Sequence, residues 1–310
     1  MKKKFLFQRL AMLLPELEAY YHQKRKEDYD CHSLTHDLTW RKRIHGLVLL
    51  LLKLNSIFIG HRITVLHGRH TQKNVPTIYA CTHVGRYDIE TTVQLIGRQC
   101  RFFMGDPGAV YQNFDGLILW LNGTIFTDTA FDEDRHIGKE NCISVLEHGS
   151  NILIYPEGAW NITENLPVMK LFDGTSEMAI RTGARIVPIA IEKYDRHYFA
   201  NVGKEIDPSG YSLSDKKALT SCLRDKLCGL KWDIWEAQGI TSRTALPPDA
   251  AQQYLADIMA ESENGYTLEE IERTRYHDKT GTSPQEVFAH LDKLIPRREN
   301  AFLFRKQKII

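Results

Sequence analysis

Residues 77–88 read TIYACTHVGRYD, a short apolar run followed by a turn that carries a histidine and an aspartate. The run Thr77–Cys81 has the length and composition of a buried strand, and His83 and Asp88 come directly after it. Imidazole titrates near neutral pH, so it can accept a proton from an alcohol, and a carboxylate bonded to its far nitrogen holds the required tautomer. The stretch therefore predicts a base and its orienting carboxylate at the carboxyl end of a strand.

Spacing alone leaves a second interpretation of this pair open. The chain has 13 His and 39 Asp plus Glu residues, so a His and an Asp five positions apart also arise by chance. His83 would then be a surface side chain in a loop, and Asp88 would cap the next helix. The run NILIYPEG at 151–158 favours the first interpretation, because it is another apolar strand that ends in polar residues.

Four short blocks follow one another along the middle of the chain. They are H-x-x-x-x-D from His83 to Asp88, GTIFTDT at 123–129, YPEG at 155–158 and VPIA at 187–190. In this order and spacing they resemble the glycerolipid acyltransferase superfamily, which includes the lysophosphatidate acyltransferases. The resemblance implies transfer of a fatty acyl group to a lipid hydroxyl from a thioester, either acyl-coenzyme A or acyl carrier protein, with no metal or other cofactor.

The same resemblance implies roles for individual residues. His83 is expected to remove the hydroxyl proton through Nε2, with Asp88 holding the ring and stabilising its charge. Glu157 and Gly158 are expected to shape the acceptor side of the site, where glycine permits close approach of the backbone. The sequence shows no Ser or Cys nucleophile in the familiar elbow spacing, which favours direct transfer over an acyl-enzyme.

Two positions depart from the pattern of the resembled family. Members that acylate phosphorylated glycerol usually have Arg at the positions occupied here by Thr129 and Trp160. Trp160 either stacks on a sugar or lipid body or is a buried structural residue. The cations that remain as candidates for phosphate contact are Arg86, Lys170 and Arg135. We therefore expect a modified acceptor, such as a lysophospholipid with a headgroup, a glycolipid or another acylated alcohol.

Three parts are predicted: a helical segment at 1–60, an α/β acyltransferase domain at 61–210 and a helical extension at 211–310. Strand-like and helix-like runs alternate in the second part, which predicts a mostly parallel central sheet flanked by helices. The candidate strands are Thr77–Cys81, Arg101–Met104, Thr124–Phe126, Ile152–Tyr155 and Ile186–Ile191.

In the segment 1–60, clusters of basic residues alternate with apolar segments. Basic groups at Lys2–Lys4, Lys24–Lys26 and Arg41–Arg43 flank apolar segments, and the run Leu47–Leu52 is too short to span a bilayer. The segment either lies on an anionic membrane surface or packs on the main domain, and the two are compatible. We expect a cytoplasmic protein that binds peripherally to the inner face of the membrane.

Charge balance and cysteine spacing give information about the partners and the cellular compartment. The 40 Lys plus Arg nearly balance the 39 Asp plus Glu, which argues against nucleic acid as a partner. The six Cys form no C-x-x-C pair and fit a reducing compartment. Cys81 beside His83 is either a thiol nucleophile or a small strand residue, and the second is favoured. A lipid-ester hydrolase or thioesterase, or a catalytically silent lipid-binding protein of the same fold, are the alternatives to a transferase.

Overall fold

The computed structural model describes residue 8 and the ranges 11–68, 75–105, 114–129, 131–163, 166–239, 245–260, 262 and 267–276. Its centre is one sheet of seven strands in the order β1-β7-β6-β2-β5-β3-β4. The strands are β1 (Arg62–His67), β2 (Thr77–Cys81), β3 (Arg101–Gly105), β4 (Thr124–Thr127), β5 (Ile152–Ile154), β6 (Arg185–Tyr194) and β7 (His197–Val202). Every neighbouring pair is parallel except β6 and β7. This confirms the predicted mostly parallel sheet.

Helices precede, connect and follow the strands. They are α1 (Leu14–Asp30), α2 (Ser33–His36), α3 (Leu38–Phe58), α4 (Asp88–Ile96), α5 (Phe114–Asn122), α6 (Asp132–Glu147), α7 (Gly174–Thr182), α8 (Lys216–Gln238), α9 (Ala250–Ala260) and α10 (Leu268–Thr274). Glycines at 149 and 183, with φ of +73° and +69°, lie just past the ends of α6 and α7, where a left-handed residue ends a helix.

The central strands are apolar throughout because helices cover both faces of the sheet. In β2, Ile78 and Ala80 contact the core under α6, α7 and α8, whereas Tyr79 and Cys81 contact the core under α3, α4 and α5. Such burial on both faces is typical of parallel sheets. Strands β2 and β5 are parallel neighbours inside the sheet, so their carboxyl ends lie side by side.

The five candidate strands are all present, but the sequence did not indicate β1 and β7. Strand β1 lies at the edge of the sheet and none of its residues is fully buried, so it lacks the apolar run of a central strand. Strand β7 forms a hairpin with β6 through Asp195 and Arg196, and Asp195 takes a left-handed φ of 52°. Asp-Arg lacks the Gly that marks most two-residue hairpins.

Ion pairs join the N-terminal helices to the main domain. Arg25 of α1 contacts Asp134 with two nitrogens, at 3.1 and 2.6 Å, and Arg101 of β3 pairs with Asp37. These contacts agree with the expectation that the segment 1–60 packs on the main domain. The basic group Lys2–Lys4 lies outside the described residues. Among the residues that the structure describes, no helix has both the length and the hydropathy needed to cross a bilayer.

The predicted C-terminal extension is helical where it is described. Thr267 and Glu270 form the reciprocal hydrogen bonds of a capping box at the start of α10. Residues 277–310 lie outside the described part of the chain.

Candidate active site

His83 and Asp88 are in direct contact at the carboxyl end of β2. His83 Nδ1 lies 2.8 Å from Asp88 Oδ2, and Asp88 is fully buried while the His83 side chain is 19% exposed. The contact leaves Nε2, the second ring nitrogen, on the side away from the carboxylate. A carboxylate on Nδ1 favours the tautomer in which Nε2 is free to accept a proton.

The local sequence explains how Asp88 reaches the ring. It is the first residue of α4, and its Oδ2 also accepts hydrogen bonds from the backbone N–H groups of Val84 and Gly85, the latter at 2.9 Å. A carboxylate at a helix N-terminus is favourable for the helix dipole. Asp88 thus begins α4, and its carboxylate bonds to the ring and the loop of His83 instead of capping the helix.

Two aromatic rings flank His83. Tyr155, which follows β5, stacks on the imidazole with a centroid separation of 4.3 Å, and the Tyr155 hydroxyl donates to Thr92 at 3.2 Å. Trp160 meets the imidazole edge-on at 6.3 Å. The sequence predicted no role for Tyr155, although its position directly after a strand indicated a place near the site.

Glu157 lies beneath His83 and has no exposed surface. Its Oε1 accepts the backbone N–H of His83 at 3.1 Å, and its Oε2 accepts the backbone N–H of Met169 at 2.7 Å. Burial raises the pKa of this carboxyl to about 7, although these hydrogen bonds and the nearby Lys231 and Arg224 act in the opposite direction. The carboxylate thus joins the His83 loop to the loop that follows β5, and the part on the acceptor side that the resemblance implies for it stays a prediction.

Helix α8 supplies two buried cations behind the site that sequence reasoning missed. Lys231 donates to the carbonyl of Ile191 at 2.5 Å and pairs with Glu192 at 2.9 Å, whereas Arg224 donates to the carbonyl of Val168 at 3.0 Å. Both cations lower the pKa of Glu157. Their only signal in the sequence was a basic residue on the apolar face of a helix.

Gly158 and Trp160 lie against the C-terminal helices. Gly158 has a φ of +77°, and a Cβ there would meet the Phe172 ring and the Thr274 carbonyl, the latter at 2.9 Å. The glycine is therefore required by backbone conformation and by close packing. Trp160 is buried in an apolar cluster that includes Ile258 and Ile271. It is thus a wall of the site, packed against the C-terminal helices and set edge-to-face with the His83 ring.

The candidate phosphate ligands lie in three different segments of the chain. Arg86 lies over the Tyr87 ring at 4.9 Å, within the His83 loop, and Lys170 lies over the Tyr276 ring at 4.9 Å. Arg135 pairs with Asp132 and donates to the Thr129 carbonyl. Thr129 follows β4, which lies three strands from β2, a distance of about 14 Å.

The position of Cys81 does not suit a nucleophile. It is fully buried in the core under α3, α4 and α5, and burial raises the pKa of its thiol well above the ordinary value. Among the described residues, no group of three or more His, Cys, Asp or Glu side chains is arranged to bind a metal ion.

Comparison with known proteins identifies one domain of the chain. Residues 62–192, which contain all four sequence blocks, match the family model described as Acyltransferase. These residues form an acyltransferase domain of the glycerolipid acyltransferase type. The chain is an enzyme of the O-acyl transfer type.

Individual relatives agree with this assignment. The 1-acyl-sn-glycerol-3-phosphate acyltransferase of Borreliella burgdorferi is 27% identical over 189 residues, which are 57% of this chain and 74% of that protein. The enzyme of the same name from Haemophilus influenzae is 25% identical over 191 residues, 56% of this chain and 75% of that protein. The crystal structure of the 1-acyl-sn-glycerophosphate acyltransferase PlsC from Thermotoga maritima has a TM-score of 0.50 at 17% identity, and covers 65% of this chain and 83% of that chain. That last likeness shows a shared fold.

Proposed function

We propose that this acyltransferase moves a fatty acyl group from a thioester donor, acyl-coenzyme A or acyl carrier protein, to the free hydroxyl of a lysolipid, with His83 as general base. The 2.8 Å contact between His83 and the buried Asp88 carries the proposal. Positioned general bases typically contribute about 10²–10⁴-fold to the rate.

The step balances without an enzyme nucleophile. The acceptor hydroxyl gives its proton to His83 Nε2 as its oxygen attacks the thioester carbonyl carbon. The tetrahedral intermediate then expels the thiolate, which breaks the carbon–sulfur bond, and the imidazolium returns the proton to sulfur. Asp88 stabilises the imidazolium between these events.

Helix α3 supports a peripheral position on the membrane. Its inner face packs on the domain through residues such as Val48 and Leu52. Its outer face exposes a second apolar stripe, which consists of Leu47, Leu50, Leu54, Ile57 and Phe58. An amphipathic surface of this kind buries its apolar side chains among lipid headgroups and acyl chains. We place the stripe on the inner face of the membrane, where a lysolipid acceptor and a cytoplasmic thioester donor meet.

A lipid-ester hydrolase or thioesterase using the same residues makes a different product, which gives a direct test. Purified protein is incubated with each thioester donor, with and without a panel of lysolipids, while free thiol and acylated lipid are measured. A transferase releases thiol only when an acceptor is present and forms one acylated lipid per thiol. Thiol release without acceptor would identify a hydrolase, and no release with any donor and acceptor would refute the proposal. His83→Ala serves as the inactive control.

A further inference from the structure

Two buried cations of helix α8 connect to the His83 loop, although α8 lies beyond the stretch 62–192 matched by the family model. Arg224 is 6% exposed and Lys231 is 2% exposed. Burying a charge is costly unless hydrogen bonds and opposite charges satisfy it, so each of these side chains needs defined partners. The hydrogen bonds that they make approach His83 by two routes.

The first route passes through Glu157. Arg224 Nη2 donates to the Val168 carbonyl at 3.0 Å, and the N–H of the next residue, Met169, donates to Glu157 Oε2 at 2.7 Å. The other carboxylate oxygen of Glu157 accepts the backbone N–H of His83 at 3.1 Å. The position of the His83 backbone therefore depends on a carboxylate that uses both of its oxygens as acceptors.

The second route passes through Thr82, the residue directly before His83. Lys231 Nζ donates to the Ile191 carbonyl at 2.5 Å, and the Thr82 hydroxyl donates to the same carbonyl at 3.2 Å. The Thr82 hydroxyl also accepts the Ile191 N–H at 3.0 Å. Glu192 pairs with Lys231 at 2.9 Å. Helix α8 is thus connected to the backbone on both sides of the peptide bond between Thr82 and His83.

The charges around Glu157 come from several elements. Arg224 and Lys231 favour its ionised form, whereas burial opposes that form. Two further cations, Arg86 and Lys170, lie over tyrosine rings in the two loops that Glu157 joins. The acids and thiols of the same region are Asp88, Cys81, Cys228, Glu192 and Asp225. Protonation would turn one Glu157 oxygen into a hydroxyl donor, which weakens one of its two links to the backbone.

We propose that Arg224 and Lys231 are positioning residues of the active site, which keep Glu157 ionised so that its two oxygens hold the His83 loop against the loop after β5 in the geometry that proton transfer needs. Burial raises the pKa of Glu157 to about 7, so loss of a nearby cation would leave it largely protonated at neutral pH. This inference rests on the proposed acyl transfer and adds α8 to the parts of the chain that the reaction requires.

The test measures kcat against pH in wild type and in Arg224→Met. We expect the acidic limb of the profile to move up by about one pH unit in Arg224→Met, because loss of the cation raises the pKa of the carboxyl that it faces. Arg224→Lys keeps the charge and should restore most of the wild-type profile. Lys226→Met removes a cation from the exposed side of the same helix and should match the wild type.

Glu157→Gln shows whether the effect passes through this carboxyl. The amide cannot ionise and keeps one acceptor oxygen, so kcat above pH 8 should fall about tenfold as one backbone link is lost. Adding Arg224→Met to Glu157→Gln should then move the acidic limb no further. An acidic limb that Arg224→Met leaves in place, or one that it moves equally with and without Glu157→Gln, would overturn the inference.

A measurement without substrates separates this inference from the proposed reaction. The backbone amide signal of His83 is followed by NMR in ¹⁵N-labelled protein as pH is changed. A pH step that Glu157→Gln abolishes and Arg224→Met moves upward supports the positioning role even if no thioester is consumed, in which case only the proposed reaction fails. Arg224→Gln guards against loss of folding, because it can still donate to the Val168 carbonyl without charge, and it should move the step in the same direction. A His83 signal with no such step in wild type would overturn the inference.

Discussion

Glu157 accepts the backbone N–H of His83 at 3.1 Å, so His83 is held through its backbone by one buried carboxylate and through its ring by another, Asp88. The other Glu157 oxygen accepts the N–H of Met169 at 2.7 Å, which joins the His83 loop to the loop that follows β5. The Glu157 side chain has no exposed surface, so its protonation state affects the stability of the site.

Glu157 should make the folded protein less stable as pH rises. Its pKa is about 7 in the folded protein against an ordinary 4.5, so the folded state binds more protons than the unfolded state between these values. The free energy of unfolding should then fall across this window, by at most about 1.4 kcal/mol per pH unit from this group. Glu157→Gln should remove that slope.

The measurement is urea unfolding of both proteins at pH 4.5 to 7.5. The difference in unfolding free energy between wild type and variant isolates Glu157 from the other titrating groups. A difference that stays constant with pH would mean that Glu157 titrates normally, and that the burial argument is wrong.

Variants of the His83–Asp88 pair should separate chemistry from folding. His83→Ala should reduce kcat by about 10²–10⁴-fold, because it removes the base. Asp88→Asn keeps an oxygen to accept the backbone N–H groups but loses the charge that stabilises the imidazolium, and should cost about 10²-fold or more. Thiol-release assays give kcat, and circular dichroism checks the fold. Wild-type kcat in His83→Ala would refute the assignment.

The sequence predicts which polar residues come together in the site better than it predicts the contacts that hold them in place. His83, Asp88 and Glu157 follow central strands, and parallel strands bring their carboxyl ends to one edge, so their proximity was predictable. The resemblance implied that Glu157 shapes the acceptor side. Its buried contacts were not predictable, because the cations that lower its pKa, Arg224 and Lys231, lie more than 60 residues away along the chain.

The contacts of the C-terminal helices α9 and α10 with the site were also not predictable from the sequence. Trp160 allowed both a stacking and a structural interpretation, and the packing of Ile258 and Ile271 against it decides between them. No local pattern connects a tryptophan after β5 with helices near the end of the described chain. Contacts of this kind follow from the assembled fold, whereas strand and cap signals follow from neighbours in the sequence.

Cys81 should be dispensable for turnover. It is buried, its thiol pKa is raised by burial, and its sulfur lies 3.4 Å from the Thr92 hydroxyl. Cys81→Ala should therefore leave kcat within about threefold of wild type, with a modest loss of stability from the small cavity. Iodoacetamide should likewise leave the native enzyme active. Loss of turnover in a folded Cys81→Ala protein would revive the thiol-nucleophile alternative.

Lys231 should be important for stability because it is buried and pairs with Oε2 of the buried Glu192. The Trp235 indole N–H donates to the same oxygen, and the Lys193 backbone N–H donates to Oε1. Lys231→Met removes the cation that pairs with this buried carboxylate and should cost about 3–5 kcal/mol in the free energy of unfolding. The double variant with Glu192→Gln should recover a substantial part of that loss. Chemical denaturation of the three proteins measures this, and equal stability of single and double variants would show that the pair is not coupled.

The outer stripe of α3 should bind membranes. Leu50 is 52% exposed and Phe58 is 90% exposed, so replacing either with Glu changes the stripe without disturbing the core. Burying each such side chain in the interface contributes about 1.5–3 kcal/mol, so Leu50→Glu with Phe58→Glu should reduce partitioning onto anionic vesicles by at least about tenfold. Turnover of a water-soluble short-chain acceptor should persist, because both side chains are exposed and neither belongs to the His83–Asp88 pair.

Leu213→Glu is the matched control for that experiment. Leu213 is also 52% exposed but precedes α8, far along the chain from the stripe, so Leu213→Glu is compared with the single variant Leu50→Glu, which adds the same charge at an equally exposed leucine. Co-sedimentation with vesicles containing anionic lipid measures bound and free protein for each variant. Equal loss of binding in Leu213→Glu would point to general repulsion between added negative charge and the bilayer. Selective loss in the α3 variant would assign the membrane contact to the stripe.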